Sequence, residues 1–250
     1  MKRNKKLLML TERDIKLFDY LFMNKVALPT QVNRDVFGNI SLTDVYRRLR
    51  MLCNANLLEN RGVIISKRPC QVFSLTKLGF CKLKGDDDFG KIRKQLNSDS
   101  IIHDIRLIDI QYRFKQLKMT LEYFSENLIR SNCEYAKVSL NGMLGNINCD
   151  SVVKMKFPKN EYFLPIEYEL NQKGGKRYDN LFLNYYLNSK IEALLYIVHD
   201  EQILKCVVNR ARSIGEGFPA KIFFITYDKF MQNTEQVIFT NHLGQKMLLN

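Results

Sequence analysis

Three carboxylates in the second half of the chain have a spacing that could support chemistry. Asp150 interrupts a largely apolar run, and Glu167 and Glu169 alternate with apolar residues in the next such run. Because side chains alternate along a strand, Glu167 and Glu169 share one face. Clustered carboxylates are costly to desolvate unless a cation joins them, and hard oxygen ligands suit Mg²⁺ or Mn²⁺. The three carboxylates are therefore predicted to bind one of these ions.

The Glu-x-Glu pair has a simpler alternative, because alternating polar and apolar residues are also typical of a half-exposed antiparallel strand. Two local features favour a site. Asp150 lies in a neighbouring apolar run, and the basic residues Lys173, Lys176 and Arg177 follow the acidic run. On the residues alone, both a metal site and a solvent-facing strand surface stay open.

The charge of the chain is basic and unevenly distributed. The formal net charge is +13, with 20 Lys and Arg against 9 Asp and Glu in residues 1–95, and 19 against 17 in residues 96–250. This imbalance predicts that the first part binds a polyanion. No apolar run is long enough to cross a membrane. The six cysteines lack the spacing of a disulfide framework or a zinc site, which predicts reduced, mostly buried thiols in a cytoplasmic protein.

Residues 8–83 are predicted to form a winged helix-turn-helix domain that binds double-stranded DNA. Thr11 and Asp14 resemble a helix N-cap, a second helix is expected at 30–37, and a third begins at Ser41. Two β segments around the basic turn at 67–69 form the predicted wing. The residues expected to face the major groove are Ser41, Thr43, Arg47 and Arg48. Those expected to meet phosphates are Arg50, Lys67 and Arg68. A protein-interaction module is the alternative.

Residues 84–99 are interpreted as a linker and residues 100–250 as a second, α/β domain with a mixed sheet. Helices are expected at 100–117, 177–188 and 202–213. Strands are expected at 121–125, 135–140, 147–155, 162–170, 193–198 and 221–226. The last two strands are fully apolar, which is typical of buried central strands.

This order of a helix, a meander carrying Asp and then Glu-x-Glu, a helix and a further strand resembles the PD-(D/E)xK restriction-endonuclease-like fold. Together with His103-Asp104, Ser125-Glu126, Cys149-Asp150 and the segment 166–173, it also resembles the replication-relaxation family and related nuclease-like conjugative relaxases, over about residues 10–230. The resemblance implies that Asp150 and Glu167 are metal ligands.

The chain departs from the pattern at Glu169, where many of these nucleases have Lys, so Lys173 or Lys176 would supply the catalytic cation. Glu126 is either a supporting ligand or a solvated residue at a strand end. Tyr178 is a candidate nucleophile for a covalent DNA intermediate, with packing as its alternative, and Tyr185 is expected to pack.

Three functions remain open at this stage. The first is a metal-dependent DNA nickase or endonuclease, relaxase-like, acting in mobilisation or replication of a mobile element. The second is a non-catalytic DNA-binding replication accessory protein or transcriptional regulator with a degenerate nuclease fold. The third is a scaffold that recruits replication proteins. The expected partners are double-stranded DNA, replication or mobilisation proteins and a second copy in a homodimer, with no membrane.

Overall fold

A computed structural model describes residues 8–84, 97–130, 140, 142–144 and 147–250 of the chain. The chain forms two compact units, Met1–Ile108 and Asp109–Asn250. Most of the predicted linker, 84–99, lies outside the described residues. No described helix is both long enough and apolar enough to cross a membrane. The five cysteines that are described are all free thiols, but only Cys149 is buried, whereas the sequence predicted that most would be.

The first unit contains three helices followed by a β-hairpin and a fourth helix. Its elements are α1 (Glu12–Asn24), β1 (Val26–Ala27), α2 (Pro29–Val32) continuing as a π-helix (Asn33–Phe37), α3 (Leu42–Asn54), β2 (Leu58–Ile65), β3 (Arg68–Leu75) and α4 (Lys77–Lys84). The three strands form an antiparallel sheet in the order β1-β3-β2. The apolar faces of the helices and of β3 enclose one core.

The helix boundaries in this unit follow the predicted capping residues. Thr11 and Asp14 form a capping box at the start of α1, and the Ser41 hydroxyl caps α3 by accepting from the Asp44 N–H. The π-helix ends at Gly38, whose φ of 75° lies in the left-handed region that glycine adopts without strain. On α3, the predicted inward residues Val45, Leu49 and Leu52 are all fully buried.

The hairpin is longer and its turn tighter than the sequence predicted. The turn consists of Ser66 and Lys67, with φ values of 49° and 66°, and both strands continue to its edge. Positive φ at both central residues is the geometry of a two-residue hairpin turn. Pro69 therefore lies within β3, opposite Ile64. It is tolerated there because β1 pairs only with the far end of β3, so this part of the strand is an edge.

The second unit is built on a sheet of seven strands in its described part. The helix α5 (Ile101–Gln116) starts in the first unit and ends in the second. It is followed by β4 (Thr120–Ser125), α6 (Glu126–Arg130), α7 (Gly142–Leu144), β5 (Ser151–Lys156), β6 (Glu161–Glu169), α8 (Gly175–Leu187), β7 (Leu194–Val198), α9 (Glu201–Ile214), β8 (Ile222–Thr226), α10 (Tyr227–Phe230), β9 (Val237–Asn241) and β10 (Lys246–Leu249).

The seven strands lie side by side in chain order, from β4 at one edge to β10 at the other. Strands β6, β7 and β8 are parallel, because helices connect them, and the other neighbouring pairs are antiparallel. Helices α8 and α9 cover one face. On the other face Phe230 of α10 packs against Phe114 of α5, with 4.8 Å between ring centroids. The predicted α/β class with a mixed sheet is confirmed.

The differences from the predicted elements are concentrated at two places. Strand β5 begins at Ser151, four residues later than expected, because Asp150 sits in a bend before it. The predicted strand 135–140 falls outside the described residues, except that Leu140 is buried. The sequence analysis predicted no element after residue 226. In the structure α10, β9 and β10 follow, and the two strands extend the sheet.

Candidate active site and nucleic-acid surface

Glu167 lies inside the protein rather than on a solvent-facing strand surface. Its side chain is on the sheet face that packs against α8, where the Tyr185 hydroxyl donates a hydrogen bond to Glu167 Oε1 at 3.0 Å. Glu167 is 6% exposed and Glu169 is 1% exposed. Burial first, and then the negative charge of Asp150, raise the pKa of Glu167 well above its ordinary value, although Lys173 opposes the shift. The half-exposed-strand alternative is therefore excluded.

Asp150 lies beside Glu167, just before the neighbouring strand. Ser151, the first residue of β5, pairs with Ile166, and Asp150 precedes it in a bend. The Asp150 N–H donates to the Ile166 carbonyl at 3.2 Å, and Asp150 Oδ2 accepts from the Tyr168 N–H at 2.8 Å. These two bonds attach Asp150 to the backbone on either side of Glu167, which brings the two carboxylates together on one face.

Glu169 ends β6 and is paired with a lysine. Its Oε2 atom accepts a hydrogen bond from the Tyr196 hydroxyl at 2.7 Å and forms an ion pair with Lys173 Nζ at 2.8 Å. Tyr196 is fully buried on β7, where it is the strand partner of Glu167. The Lys173 side chain is 23% exposed. This arrangement places an ammonium group at the solvent-accessible edge of the carboxylate cluster.

Asp150 and Glu167 fit a divalent cation, because their oxygens are hard ligands and the two carboxylates lie close enough to interact electrostatically. The third predicted ligand, Glu169, already has two partners. Its Oε2 atom accepts from the Tyr196 hydroxyl and pairs with Lys173 Nζ. In the parts of the chain that the structure describes, no three His, Cys, Asp or Glu side chains are arranged to hold a metal ion. The structure thus brings two of the predicted ligands together, not three.

The remaining predicted site residues lie around this cluster. Lys176 is exposed in the first turn of α8. Glu126 forms an ion pair with Arg130 one turn along α6, at 2.7 Å. Glu126 also lies near enough to Cys149 to contribute, after burial and the charges of Glu167 and Asp150, to raising the pKa of that thiol. Glu126 is therefore at the carboxylate end of the sheet, with its charge already paired.

Two of the tyrosines near the cluster, Tyr178 and Tyr185, are buried. The Tyr178 ring is buried and stacks on Phe182 with 5.9 Å between centroids, and its hydroxyl accepts from the Lys173 N–H at 2.8 Å. Burial raises the pKa of Tyr178, which disfavours the phenolate that a nucleophile requires. Packing is therefore the better account of Tyr178. Tyr185 packs as expected, but its hydroxyl also binds Glu167.

Tyr196 is a site residue that the sequence analysis missed. It interrupts the otherwise aliphatic segment Leu194–Val198, and a buried tyrosine hydroxyl needs a hydrogen-bond partner. The need for a hydrogen-bond partner is the signal in the sequence that could have identified Tyr196. The partner itself could not be read from the chain, because Glu169 is far from Tyr196 in sequence.

In the first unit, the exposed side of α3 carries most of the residues predicted to meet DNA. Ser41, Thr43, Arg47 and Arg50 are exposed. Arg47 pairs with Asp44 at 2.8 Å but keeps 73% of its side chain exposed. At the hairpin, Lys67 and Arg68 are both exposed. These six side chains are exposed, although the Ser41 hydroxyl caps α3 and is bonded to Asp44.

Arg48 is a correction, because the structure does not place it on that surface. Its guanidinium forms two hydrogen bonds to the carboxylate of Asp14, one of them 2.8 Å from Nε to Oδ1, and a third to the Met9 carbonyl at 3.0 Å. Asp14 is 1% exposed. A buried carboxylate requires a charged partner, and Arg48 is the cation that meets this need. Arg48 therefore joins α3 to α1 rather than facing a groove.

Comparison with known proteins adds little to this geometry. No protein-family model matches the chain, and no curated protein matches it. The chain is similar to one solved structure, that of the restriction endonuclease FokI bound to DNA, with 8% sequence identity and a TM-score of 0.26. The match covers 88% of this chain but 43% of the FokI chain. A TM-score of this size does not indicate a shared fold, so no functional conclusion follows from it.

Proposed function

We propose that this protein binds double-stranded DNA through its first unit and nicks or cleaves DNA at a metal-dependent site in its second unit. One observation carries the proposal: the Asp150 carboxylate is held beside the buried Glu167, and the Lys173 ammonium pairs with Glu169 in the same cluster. Buried carboxylates that share a face are costly, and they are typical of sites that use their charge.

The order of elements supports the same proposal. A helix, α5, precedes the antiparallel meander β4-β5-β6, and the helix α8 and the parallel strand β7 follow it. Asp150 lies immediately before β5, and Glu167 and Glu169 lie at the end of β6, which is the order that the resemblance to a PD-(D/E)xK nuclease implies. We assign the second unit to that class on this order and on the positions of the acids.

The residues of the cluster have separate tasks in the proposed reaction. Asp150 and Glu167 would hold Mg²⁺ or Mn²⁺, which lowers the pKa of a water molecule and offsets charge on the phosphoryl oxygens. Tyr185 orients the Glu167 carboxylate through its hydrogen bond. The Lys173 ammonium faces the negative charge that develops on the phosphate in the transition state.

The first unit supports DNA binding by its layout. Its elements follow the order α1-β1-α2-α3-β2-β3 with the sheet order β1-β3-β2, and we interpret this as a winged helix. The exposed face of α3 is of a size that fits the major groove, and the hairpin tip with Lys67 and Arg68 would contact phosphates nearby. A relaxase-like role in mobilisation or replication of a mobile element is the cellular setting that the sequence resemblance favours.

Nicking of supercoiled plasmid tests the proposal directly. Purified protein should convert it to open circles with Mg²⁺ or Mn²⁺ and not with EDTA, and Asp150→Asn should abolish the conversion. The matched control is Glu161→Gln, an exposed carboxylate at the start of β6 that pairs with Lys154 at 2.9 Å, and it should retain full activity. Plasmid that stays supercoiled under every metal condition would overturn the nuclease proposal.

A non-catalytic DNA-binding protein is the second candidate, and two observations favour it. Glu169 stands where the resembled nucleases have Lys, and no three metal-ligating side chains are grouped in the described parts of the chain. In that case the first unit would still bind DNA, while wild-type protein would show no metal-dependent nicking and no rise in Tm on adding Mn²⁺.

A further inference from the structure

Both the backbone and the ammonium group of Lys173 are held by polar contacts. Its backbone N–H donates to the Tyr178 hydroxyl at 2.8 Å, and its Nζ lies 2.8 Å from Glu169 Oε2. Tyr178 is itself fixed, because its ring is buried and stacked on Phe182. A lysine side chain normally has many rotamers, and fixing both ends removes most of that freedom. The position of the ammonium is therefore defined before any ligand binds.

Glu169 is held in a position that pairs with this lysine. The carboxylate is 1% exposed, and its Oε2 atom accepts from both the Tyr196 hydroxyl and Lys173. Tyr196 comes from the strand next to Glu169, so the sheet itself sets the direction of the carboxylate. A buried carboxylate with a charged partner and a second donor has little reason to bind a metal ion as well. In the part of the chain that the structure describes, its neighbour Glu167 has no lysine within ion-pair distance and accepts instead from the Tyr185 hydroxyl.

We propose that Glu169 and Tyr196 are positioning residues for the Lys173 ammonium, and that Glu169 is not a metal ligand. The Lys173 side chain is partly exposed and acts electrostatically on Glu167, so its ammonium is accessible to solvent and close to the carboxylate cluster. A phosphodiester oxygen entering the site would meet the ammonium first. This inference rests on the proposed nuclease function and assigns the cation of that site.

The test compares three variants in the full-length protein. Glu169→Gln removes the charge of the anchor but keeps an oxygen that can accept from Tyr196. Tyr196→Phe removes the second donor. The double variant Glu169→Gln/Lys173→Met removes both charges, so that no buried carboxylate is left unpaired if single variants fold poorly. The matched control is the exposed pair Glu201 and Lys229, 2.7 Å apart in the same unit, changed to Gln and Met.

A positioning role predicts a specific combination of results. With Mn²⁺ and saturating plasmid, Glu169→Gln and the double variant should both lower kcat by about 100- to 1,000-fold, as losing one transition-state donor does. The double variant should be no slower than Glu169→Gln, because the single variant already leaves the Lys173 ammonium without its anchor. Tyr196→Phe should cause a smaller fall, and the control pair none. Glu169→Gln should keep the wild-type affinity for DNA and the wild-type rise in Tm on adding Mn²⁺.

Other results would overturn either the positioning role of Glu169 or the proposed function, and the two cases can be distinguished. Loss of the Mn²⁺-dependent rise in Tm in Glu169→Gln would make Glu169 a ligand and overturn the positioning role alone. Full activity in Glu169→Gln would also overturn it. Wild-type protein that shows neither nicking nor an Mn²⁺-dependent rise in Tm would instead overturn the proposed function, and with it the use of the ammonium. The Tm measurement separates these cases without depending on activity.

Discussion

At the scale of single residues, the second unit buries acids that most proteins keep in water. Glu167 receives a hydroxyl from Tyr185, and Glu169 receives one from Tyr196 and a charge from Lys173. The two glutamates therefore differ in their electrostatic balance, since only Glu169 has a lysine within ion-pair distance. Glu167 is the group for which protonation or an added cation would relieve the most repulsion.

Replacing Glu167 by Gln should stabilise the metal-free protein at neutral and higher pH. The folded-state pKa of Glu167 is raised above its unfolded value, so its contribution to stability is fully present below about pH 4 and is lost as pH rises through the raised pKa. Gln does not ionise and avoids this loss. Thermal unfolding in EDTA should show a Tm for Glu167→Gln above that of wild type at pH 8, with about 2–4 °C for each kcal/mol gained.

The difference in Tm between these proteins should shrink as the pH is lowered towards 4. The control is Glu161→Gln, whose exposed carboxylate should leave Tm almost unchanged at both pH values. A lower Tm for Glu167→Gln at pH 8 would mean that its ionised form is stabilised in the folded state, contrary to the structure.

Which residues the sequence could predict depends on how local their partners are. Glu167 and Glu169 were identified because alternation along a strand assigns them to one face, and Asp150 because it interrupts a neighbouring apolar run. Arg48 was misassigned because its partner, Asp14, is on another helix, and α3 alone offers no reason for Arg47 and Arg48 to differ. The hydroxyl donors to the glutamates come from α8 and β7, so they appear only once the sheet and its helix layer are assembled.

At the scale of elements, α1 and α3 are joined through one buried carboxylate. Asp14 completes the capping box of α1 and also pairs with Arg48 of α3. Burial would raise the pKa of Asp14, but the hydrogen bonds from Arg48 and Thr11 outweigh burial and hold that pKa below its ordinary value. The Asp14 carboxylate therefore both caps the start of α1 and holds α1 against α3.

Arg48→Ala should destabilise the first unit by about 3–5 kcal/mol, the usual effect of leaving a buried charge without its partner. Asp14→Asn/Arg48→Met, which removes both charges, should be less damaging. In wild type, the folded pKa of Asp14 is depressed, so its stabilisation is present above about pH 4 and is lost as pH falls through that lower pKa. Urea unfolding at pH 7 and at pH 3 measures both effects. Equal stability of Arg48→Ala and wild type at pH 7 would contradict the role given to the pair.

Arg47 and the hairpin tip should affect DNA binding in different ways. If Arg47 reads a base, Arg47→Ala should weaken binding to the preferred sequence by about 1–3 kcal/mol and reduce sequence preference. Lys67→Ala and Arg68→Ala should weaken all sequences about equally and lower the slope of log K against log salt by about one per lost phosphate contact. Binding titrations at several salt concentrations distinguish these outcomes. Lys229→Ala in the second unit is the control, and a loss as large in that variant would place the DNA elsewhere.

At the scale of the whole molecule, charge and acidity are divided between two parts of the chain. Residues 1–95 carry most of the net charge of +13, while the second unit contains the carboxylate cluster. The proposed division of labour follows this division of charge, with binding assigned to one unit and cleavage to the other. Variants in the first unit should therefore leave cleavage intact, and variants in the second unit should leave DNA binding intact.

Asp150→Asn should separate the two properties. It removes a metal-binding charge without changing the shape of the side chain, so nicking should be lost while the affinity for DNA stays within about twofold of wild type. The rise in Tm on adding Mn²⁺ should disappear with the activity. The measurements are plasmid nicking, DNA titration and thermal unfolding on the same preparation. Loss of DNA affinity along with nicking would show that the two units do not act separately.

The overall class could be predicted because apolar runs and helical stripes repeat along the chain and alternate in type. The extent of the sheet could not, because β9 and β10 are short and expose residues such as Ile238 and Leu248, so neither reads as a buried strand. The boundary between the units was equally hidden. It falls inside α5, and a helix that continues through a boundary carries no loop residues to mark it.

The side-by-side arrangement of β4 to β10 has a consequence for how the second unit assembles. No described strand must be inserted between two earlier ones, so each can add to an edge that already exists once its connection is made. Such local closure keeps the entropy lost in each step small and favours rapid folding. During synthesis, β5 and β6 emerge together and β7 follows, whereas β9 and β10 arrive last. The strands that carry the acids can therefore pair while the far edge of the sheet is still being made.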